Sequence, residues 1–411
     1  ALDKMPDYDE ALLLKKLQPV TKPQLANLKN HLYRQLLASL RLLKSTENID
    51  LQLSEHLDHA RLLYNKGLKL QSLKILERAK ESARSNHKFN FLVQVISLEK
   101  KIETLHITRS SLEKTAIMAT EASDISSHID RVTKLSNLAL LLYRWFVKNG
   151  HARNEEDEAG IRIFFKDNLP LHPESITNFY ERLYLYQSYT WYGFIRQDFL
   201  MYYRYSRKWI DLFDETPLMM TVETGHSIKG MHNLLNAHFD LSNYRDFETT
   251  LKKFEHFSQT EIANHHDNFR IHTFVYINSA SINKHLMLGT FKEGLALVPG
   301  IMNKLEEYAL YIDGHRVLVF NYKIATLYFG SGDYNTTIDY LQKIINGPVD
   351  LRIDLHCYAR LLHLIAHYEL GNFDIMEYLI KSVYRFMAKM KNLTVIEEAV
   401  FGFLRSSFHV S

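Results

Sequence analysis

The residues best placed for metal chemistry are three histidines near the C-terminus, His356, His363 and His367, spaced seven and four residues apart. On a helix this spacing places the imidazoles on one stripe, and imidazole is a common zinc ligand. The residue after His363 is Leu364, where the helix motif of zinc proteases requires a catalytic glutamate. We therefore expect these histidines to pack within their repeat, and we predict no metal and no cofactor. A metal-dependent enzyme built on the three is the alternative.

Other catalytic motifs are also missing from the sequence. It has no nucleophile elbow (GxSxG), no phosphate-binding Walker loop and no dinucleotide-binding GxGxxG. Cys357 is the only cysteine, so no disulfide can form within the chain, which favours a reducing compartment. The first residues contain no apolar signal region, and no apolar run is long enough to span a membrane. We expect a cytoplasmic protein that is not an enzyme.

The composition predicts long helices. Glycine accounts for 15 of the 411 residues and proline for 8, so the residues that make turns are scarce. An all-β sandwich or barrel needs many turns, whereas a disordered chain would not be 46% hydrophobic. We predict the longest loops at 150–158, 167–173 and 214–230.

A short pattern recurs at the predicted helix junctions: a residue that ends a helix, a helix-capping residue, and an aromatic residue. In Gly332, Asp333 and Tyr334, the glycine can adopt the left-handed conformation and the aspartate can cap the next helix. Similar junctions begin at Gln197, Ser242, Gly289 and Gly371, and weaker ones lie at Gly67, His106–Thr108 and Gly150. Intervals of 39–47 residues predict about eight helix-turn-helix units.

The unit around Gly332 resembles the tetratricopeptide repeat. Ile324 and Ala325 stand at the family's close-packing step, Tyr328 at its tyrosine, Thr337 at its small position, and Pro348 closes the unit. Bulky residues elsewhere and the longer period make the chain similar to degenerate members of the family, such as peptide-sensing regulators and uncharacterised bacterial repeat proteins. The resemblance implies an all-α, right-handed superhelix over residues 45–411. Residues 1–44 are predicted to form capping or docking helices.

The resemblance also implies a concave face that binds a protein or peptide segment. By analogy with the family, positions six and three residues before each junction lie near that face. The predicted partner-binding residues are Arg144, Trp191, Asn236 and Asn283 from the first series, and Phe194, Phe239 and Phe329 from the second. An asparagine amide can both donate to and accept from a peptide backbone, and the aromatic rings suit apolar anchors. Packing between repeats is the alternative interpretation.

Basic residues are concentrated in the first third of the chain. Residues 1–148 contain 24 Lys and Arg against 16 Asp and Glu, a balance of +8, whereas residues 149–411 contain 26 against 31, a balance of −5. Helical-repeat proteins with a basic face can bind nucleic acid, which is our alternative function. Solvation of the outer helix faces explains the same charges without a ligand.

Aromatic residues are unusually dense between 179 and 213, where fourteen occur with arginines and lysines among them. Aromatic residues dominate binding hot spots, and stacking platforms for nucleic acid combine them with cations. They are equally suited to a helical core, since tyrosine packs well while its hydroxyl stays hydrated. Both readings, core and binding surface, remain open from the sequence.

Overall fold

The computed structural model describes residues 8–44, 48–105, 112–173, 176–349 and 351–408. Every regular element in these ranges is a helix, so the predicted all-α class is confirmed for them. None of the helices in these ranges is long and apolar enough to cross a membrane. The junction predicted at His106–Thr108 lies outside the described residues.

The chain divides into two units, residues 1–129 and 130–411. The first unit contains α1 (Glu10–Lys16), α2 (Lys22–Lys44), α3 (Ile49–Asn65), α4 (Lys69–Ser85), α5 (Phe89–Thr104) and the first part of α6 (Leu112–Asn149). Its core is made of aliphatic residues at helical spacing, such as Leu53, Leu57 and Leu76, all of them fully buried. Helix α3 packs on α4, and α4 packs on α5.

In the residues that the structure describes, the second unit contains the end of α6 and fifteen further α-helices. They are α7 (Glu155–Asn168), α8 (Phe179–Ile195), α9 (Phe199–Glu215), α10 (Met219–Val222), α11 (Thr224–Asp240), α12 (Tyr244–Ser258), α13 (Glu261–Asn264), α14 (Asp267–Leu288), α15 (Phe291–Gly294), α16 (Val298–Glu307), α17 (Gly314–Ser331), α18 (Tyr334–Ile345), α19 (Ile353–Glu369), α20 (Met376–Lys389) and α21 (Val395–Ser407). Helix α8 packs on α9, α9 on α11, α11 on α14, and α14 on α17. Each of these helices therefore packs on helices that lie one to three places further along the chain.

The junction residues have the backbone conformation that the sequence pattern predicts. The φ angles of Gly289, Gly332 and Gly371 are +67°, +88° and +74°, and the non-glycine residues Gln197 and Ser242 also have positive φ, at +58° and +54°. The carboxylate of Asp333 accepts a hydrogen bond from the Thr336 amide, and Asp198 and Asn243 cap their helices in the same way. The predicted cap is therefore confirmed at these three junctions, whereas Thr290 and Asn372 make no capping hydrogen bond with their side chains.

The loop prediction for 214–230 is wrong, because α10 and the first part of α11 occupy much of that stretch. Gly230 lies inside α11, where it permits a close helix contact. A Cβ built at this position would lie 2.7 Å from the Ile210 Cδ1 atom and 3.1 Å from the Trp209 indole nitrogen. Gly230 therefore serves packing between helices. In a single sequence, a glycine with this role cannot be distinguished from a glycine that marks a turn.

The aromatic residues of 179–213 fall into two groups. Tyr202, Trp209 and Phe213 are at most 1% exposed and belong to the core between α8, α9 and α11. Trp191 and Phe194 border an internal cavity of the second unit, and the Tyr202 ring reaches the same cavity. This stretch therefore supplies both core and a cavity wall.

Candidate functional site

A cavity of about 420 Å³, here called the groove pocket, lies within the second unit. Consecutive first helices of the helix pairs, α8, α11, α14 and α17, form its walls, and the ends of α6 and α19 complete it. Its lining is rich in aromatic rings and contains several polar side chains: Tyr143, Phe146, Trp191, Phe194, Tyr202, Lys229, His232, Asn233, Asn236, Phe239, Asp240, Val275, Tyr276, Ser279, Asn283, Leu286, His315, Arg316, Val319, Phe320, Tyr322, Lys323, Thr326, Arg352 and Leu355. Apolar walls with a few convergent polar groups are typical of ligand sites.

Five of the seven predicted partner-binding residues line this pocket together: Trp191, Phe194, Asn236, Phe239 and Asn283. They come from three consecutive first helices, α8, α11 and α14. The two register series therefore identify residues that share one cavity, although they are spread over nearly a hundred positions of sequence.

The other two predicted residues, Arg144 and Phe329, do not line the pocket. Arg144 is exposed, and its neighbours Tyr143 and Phe146 take the lining positions in α6. The junction at Gly150 leads into an irregular segment before α7. Here the lining residues lie seven and four residues before the junction, whereas the two series count six and three. One residue rotates a helix position by about 100°. The Phe329 ring instead lies 5.3 Å from the Tyr334 ring at the following junction.

Lys323 is anchored by neutral acceptors on the adjacent helix. Its ammonium donates to the Asn283 Oδ1 atom at 2.6 Å, to the Ser279 hydroxyl at 2.8 Å and to the Ser279 carbonyl at 3.3 Å. Burial lowers the pKa of Lys323 to about 7, although the nearby Asp240 carboxylate opposes that shift. The side chain joins α14 to α17 across the floor of the pocket.

Two arginines of the pocket are paired with carboxylates close by in sequence. Arg316 lies 2.7 Å from the Asp313 carboxylate, and its other terminal nitrogen donates to the Tyr276 hydroxyl at 3.2 Å. Arg352 binds the buried Asp354 carboxylate through two 2.8 Å hydrogen bonds. These contacts fix the guanidinium groups and give each of them a carboxylate partner.

Asp240 is the carboxylate that lines the pocket itself. Its Oδ2 atom is inaccessible to solvent and has no hydrogen-bond partner among the described residues. Burial raises the pKa of Asp240 to about 6, and the positive charge of Lys323 opposes this rise. Asp240 and Lys323 therefore offset each other's charge at this end of the pocket.

Lys229 differs from the other basic residues of the pocket. Its ammonium lies over aromatic faces, 4.3 Å from the centroid of the Tyr143 ring and 5.4 Å from that of Trp191. Burial, with the positive charge of Arg316, lowers the pKa of Lys229 to about 8. No carboxylate in the described part of the chain forms an ion pair with it.

Histidines of the pocket are held neutral. The pKa of His232 is well below its usual value because the side chain is buried and lies near Lys323, Arg316 and Lys229. Burial lowers the pKa of His315 to about 4. The His232 ring stacks on Tyr276 at 4.0 Å, and its Nε2 atom lies 3.1 Å from the Asn236 amide nitrogen.

None of the seven predicted partner-binding residues is a charged residue of the pocket, although the sequence contains a signal for some of these. The two register series are the positions six and three residues before each junction. A residue seven positions before a member of either series lies two helical turns away on the same face of its helix. On α11, α14 and α17 these positions are Lys229, Tyr276 and Val319 in one series and His232, Ser279 and Tyr322 in the other, and all six line the pocket. The corresponding residues of α8, Tyr184 and Gln187, do not. Arg316, Lys323, Arg352 and Asp240 lie off both series.

The C-terminal histidines lie on α19, as their spacing indicated, but they do not converge as metal ligands. His356 is fully buried, and the rings of His363 and His367 are 4.5 Å apart. The Nδ1 atom of His367 lies 2.9 Å from the Asn372 amide nitrogen. In the described ranges, no group of three or more His, Cys, Asp or Glu side chains is arranged to hold a metal ion.

The first unit contains a cleft of about 830 Å³ whose charged residues are mostly acidic. Its charged lining comprises the basic residues Lys80, Arg84 and Lys114 and six glutamates, Glu77, Glu81, Glu99, Glu103, Glu113 and Glu121. Lys80 lies 2.9 Å from Glu99 and 2.8 Å from Glu121, and Lys114 lies 2.7 Å from Glu103. These basic residues are committed to ion pairs, so the cleft does not present a surface for phosphates.

Comparison with known proteins adds no family to this description. The chain matches no protein-family model, and a search of curated protein sequences found no relative.

Proposed function

We propose that the groove pocket binds a peptide segment of a partner and that the protein acts as a non-enzymatic binding scaffold. The observation that carries the proposal is that Asn236 and Asn283, on the first helices of two successive helix pairs, share one cavity with the rings of Trp191, Phe194 and Phe239. Amide side chains can pair with a peptide backbone, and aromatic walls accept apolar side chains.

The hydrogen bonds within the pocket support this role. The Asn283 Oδ1 atom is occupied by Lys323, which leaves its amide N–H groups facing the cavity. The Asn236 amide nitrogen lies 3.1 Å from the His232 Nε2 atom, and the Asn236 side chain also hydrogen-bonds to Tyr202. Both asparagines are therefore fixed in place along the pocket, where amide groups can pair with a peptide backbone.

The proposal includes the architecture implied by the resemblance. We infer that the helix pairs of the second unit follow a right-handed superhelical path with α8, α11, α14 and α17 on its concave side. Support comes from the packing of each of these helices on its neighbours and from the single cavity that they line.

The test is selection from a phage-displayed library of random dodecapeptides, followed by affinity measurements with synthetic copies of the selected peptides. We expect Asn236→Ala and Phe239→Ala each to weaken binding at least tenfold, since each removes a group from the pocket. The control is Asn335→Ala, because Asn335 is exposed on α18 and lies outside the pocket.

Circular dichroism and Tm must show that each variant is folded. Failure to select any peptide, or selected peptides that bind both pocket variants as tightly as the unmodified protein, would overturn the proposal.

A further inference from the structure

The charges around the groove pocket are balanced at every basic residue except Lys229. Arg316 and Arg352 each hold a carboxylate within 2.8 Å, and Asp240 offsets Lys323. Lys229 is held only by the faces of Tyr143 and Trp191 among the described residues. Such faces attract a cation, but they leave its net charge in place.

The surroundings of Lys229 increase the cost of that charge. Arg316, on α17, adds positive potential, and its guanidinium is fixed 3.2 Å from the Tyr276 hydroxyl on α14. A buried ammonium without an anion is costly in a medium of low dielectric constant. An anion that enters the pocket with a ligand would remove this cost and gain a charge-assisted hydrogen bond.

We propose that the ligand of the groove pocket carries a carboxylate next to an apolar side chain, and that this carboxylate binds Lys229. This inference rests on the proposed peptide-binding function. The apolar neighbour packs on the aromatic wall beside Lys229, where the Trp191 ring centroid lies 4.7 Å from that of Tyr143 and 5.6 Å from that of Phe146.

The geometry of α11 separates this carboxylate from the acidic end of the pocket. Lys229 and Asp240 are eleven residues apart on one continuous helix. At 1.5 Å per residue their Cα atoms are about 16 Å apart, so the carboxylate of the ligand avoids repulsion by Asp240. A separation of this size corresponds to four or five residues of an extended peptide.

The charge count favours a singly charged group. Lys229 contributes one unit of charge without a partner, and the other three basic residues already have theirs. A carboxylate matches that single charge. It can come from the C-terminus of a peptide or from an acidic side chain, and the chemistry at Lys229 is the same in both cases.

The experiment uses the full chain and three mixtures of N-acetylated tetrapeptides made from uncharged residues. The first mixture has a free C-terminal carboxylate, the second has a C-terminal amide, and the third is amidated with one glutamate placed at each position in turn. Retention during ultrafiltration is measured by mass spectrometry at pH 7. We expect the first or the third mixture to be retained at least tenfold more than the neutral second mixture.

The two charged mixtures identify the source of the carboxylate. Preference for the first indicates a C-terminus, and preference for the third indicates an acidic side chain. Lys229→Met should reduce retention of the preferred mixture to the level of the neutral one, and Lys229→Gln should do the same. Lys253→Met is the matched control, because Lys253 is exposed on α12 outside the pocket.

The outcomes separate this inference from the proposed function. Equal retention of all three mixtures would overturn the carboxylate assignment while peptide binding stands. Retained preference in both Lys229 variants would overturn the role of Lys229. Absence of binding by every mixture would overturn the carboxylate assignment, and failure of the library selection as well would overturn the proposed function itself.

Discussion

Asn283 and Lys323 form a 2.6 Å hydrogen bond between α14 and α17, with the lysine ammonium donating to the amide oxygen. Asn283 is 2% exposed. The Lys323 ammonium also donates hydrogen bonds to the carbonyl and the hydroxyl of Ser279. Neutral acceptors therefore hold a buried positive charge, with Asp240 as its nearby counter-charge. The same contact orients the Asn283 amide towards the groove pocket.

Replacing Asn283 by alanine should destabilise the second unit. The change removes one of three acceptors from a buried ammonium, which costs about 1–3 kcal/mol. The measurement is the free energy of unfolding in urea, with Asn283→Asp as the rescuing variant because a carboxylate restores the acceptor. Asn335→Ala should change stability by less than about 0.5 kcal/mol. Equal losses in Asn283→Ala and Asn335→Ala would contradict the anchoring role.

Gly150 should be far less tolerant of substitution than Gly332. Both have positive φ, +82° and +88°, so alanine at either position costs about 1–2 kcal/mol of backbone strain. At Gly150 a Cβ would also lie within 2.6 Å of all three carboxyl atoms of Asp354, whereas at Gly332 it would meet nothing within 4 Å. Displacing Asp354 disturbs its hydrogen bonds to Arg352.

Thermal unfolding of Gly150→Ala and Gly332→Ala checks this difference. We expect the Tm of Gly150→Ala to be several degrees lower than that of Gly332→Ala, since the strain is common to both and the steric clash is not. Indistinguishable Tm values would show that Asp354 moves away at little cost.

The fold class and five pocket residues could be predicted because both follow from local periodicity. A junction such as Gly332 and Asp333 reports its own backbone conformation, and counting back from it fixes which residues share a helix face. The count failed at Gly150, where an irregular segment follows the helix in place of a short turn. The loop predicted at 214–230 also failed, and Gly230 at its end serves a contact between helices.

The electrostatics of the pocket could not be predicted, because they depend on partners far apart in sequence. Lys323 is held by Ser279 and Asn283, some forty residues away, and Lys229 lies on the rings of Tyr143 and Trp191. Nothing local distinguishes Lys229 from a solvated surface lysine. Its place two turns before Asn236 on one helix face is the only signal in the sequence.

Binding of a carboxylate ligand should weaken above pH 8, because the pKa of Lys229 is lowered to about 8 and only its ammonium attracts the anion. The groups that face it are Arg316 from α17 and Tyr143 from α6, with His226 and His232 on its own helix. Tyr276 and His272 face it from α14, and burial lowers the pKa of His272 below its usual value. The pKa of His226 is lowered to about 4 and that of His232 is well below its usual value, so neither changes charge near pH 8.

Titration of the preferred peptide mixture between pH 6 and 9 provides the measurement. Asp240 and Lys323, with pKa values of about 6 and about 7, change charge mainly below pH 8. Between pH 8 and 9 the affinity should therefore fall about fivefold, because the protonated fraction of Lys229 falls from about one half to about one tenth. Lys229→Met should abolish the decline. If the loss of affinity with rising pH persisted in that variant, a group other than Lys229 would be responsible for it.

The stability of the ligand-free protein should respond to pH in the opposite direction. Because the folded-state pKa of Lys229, about 8, lies below its usual value of 10.5, the unfolded chain binds more protons between these limits. The contribution of Lys229 to the free energy of unfolding therefore rises with pH between about 8 and 10.5. Lys229→Met removes the buried charge, so its Tm should exceed that of the unmodified protein by a few degrees at pH 7, and the difference should shrink towards pH 10.5.

Lys253→Met should show no such change, since Lys253 is exposed. A Lys229→Met variant that is less stable at pH 7 would mean that the ammonium, even without a carboxylate partner, contributes to folding through its aromatic contacts.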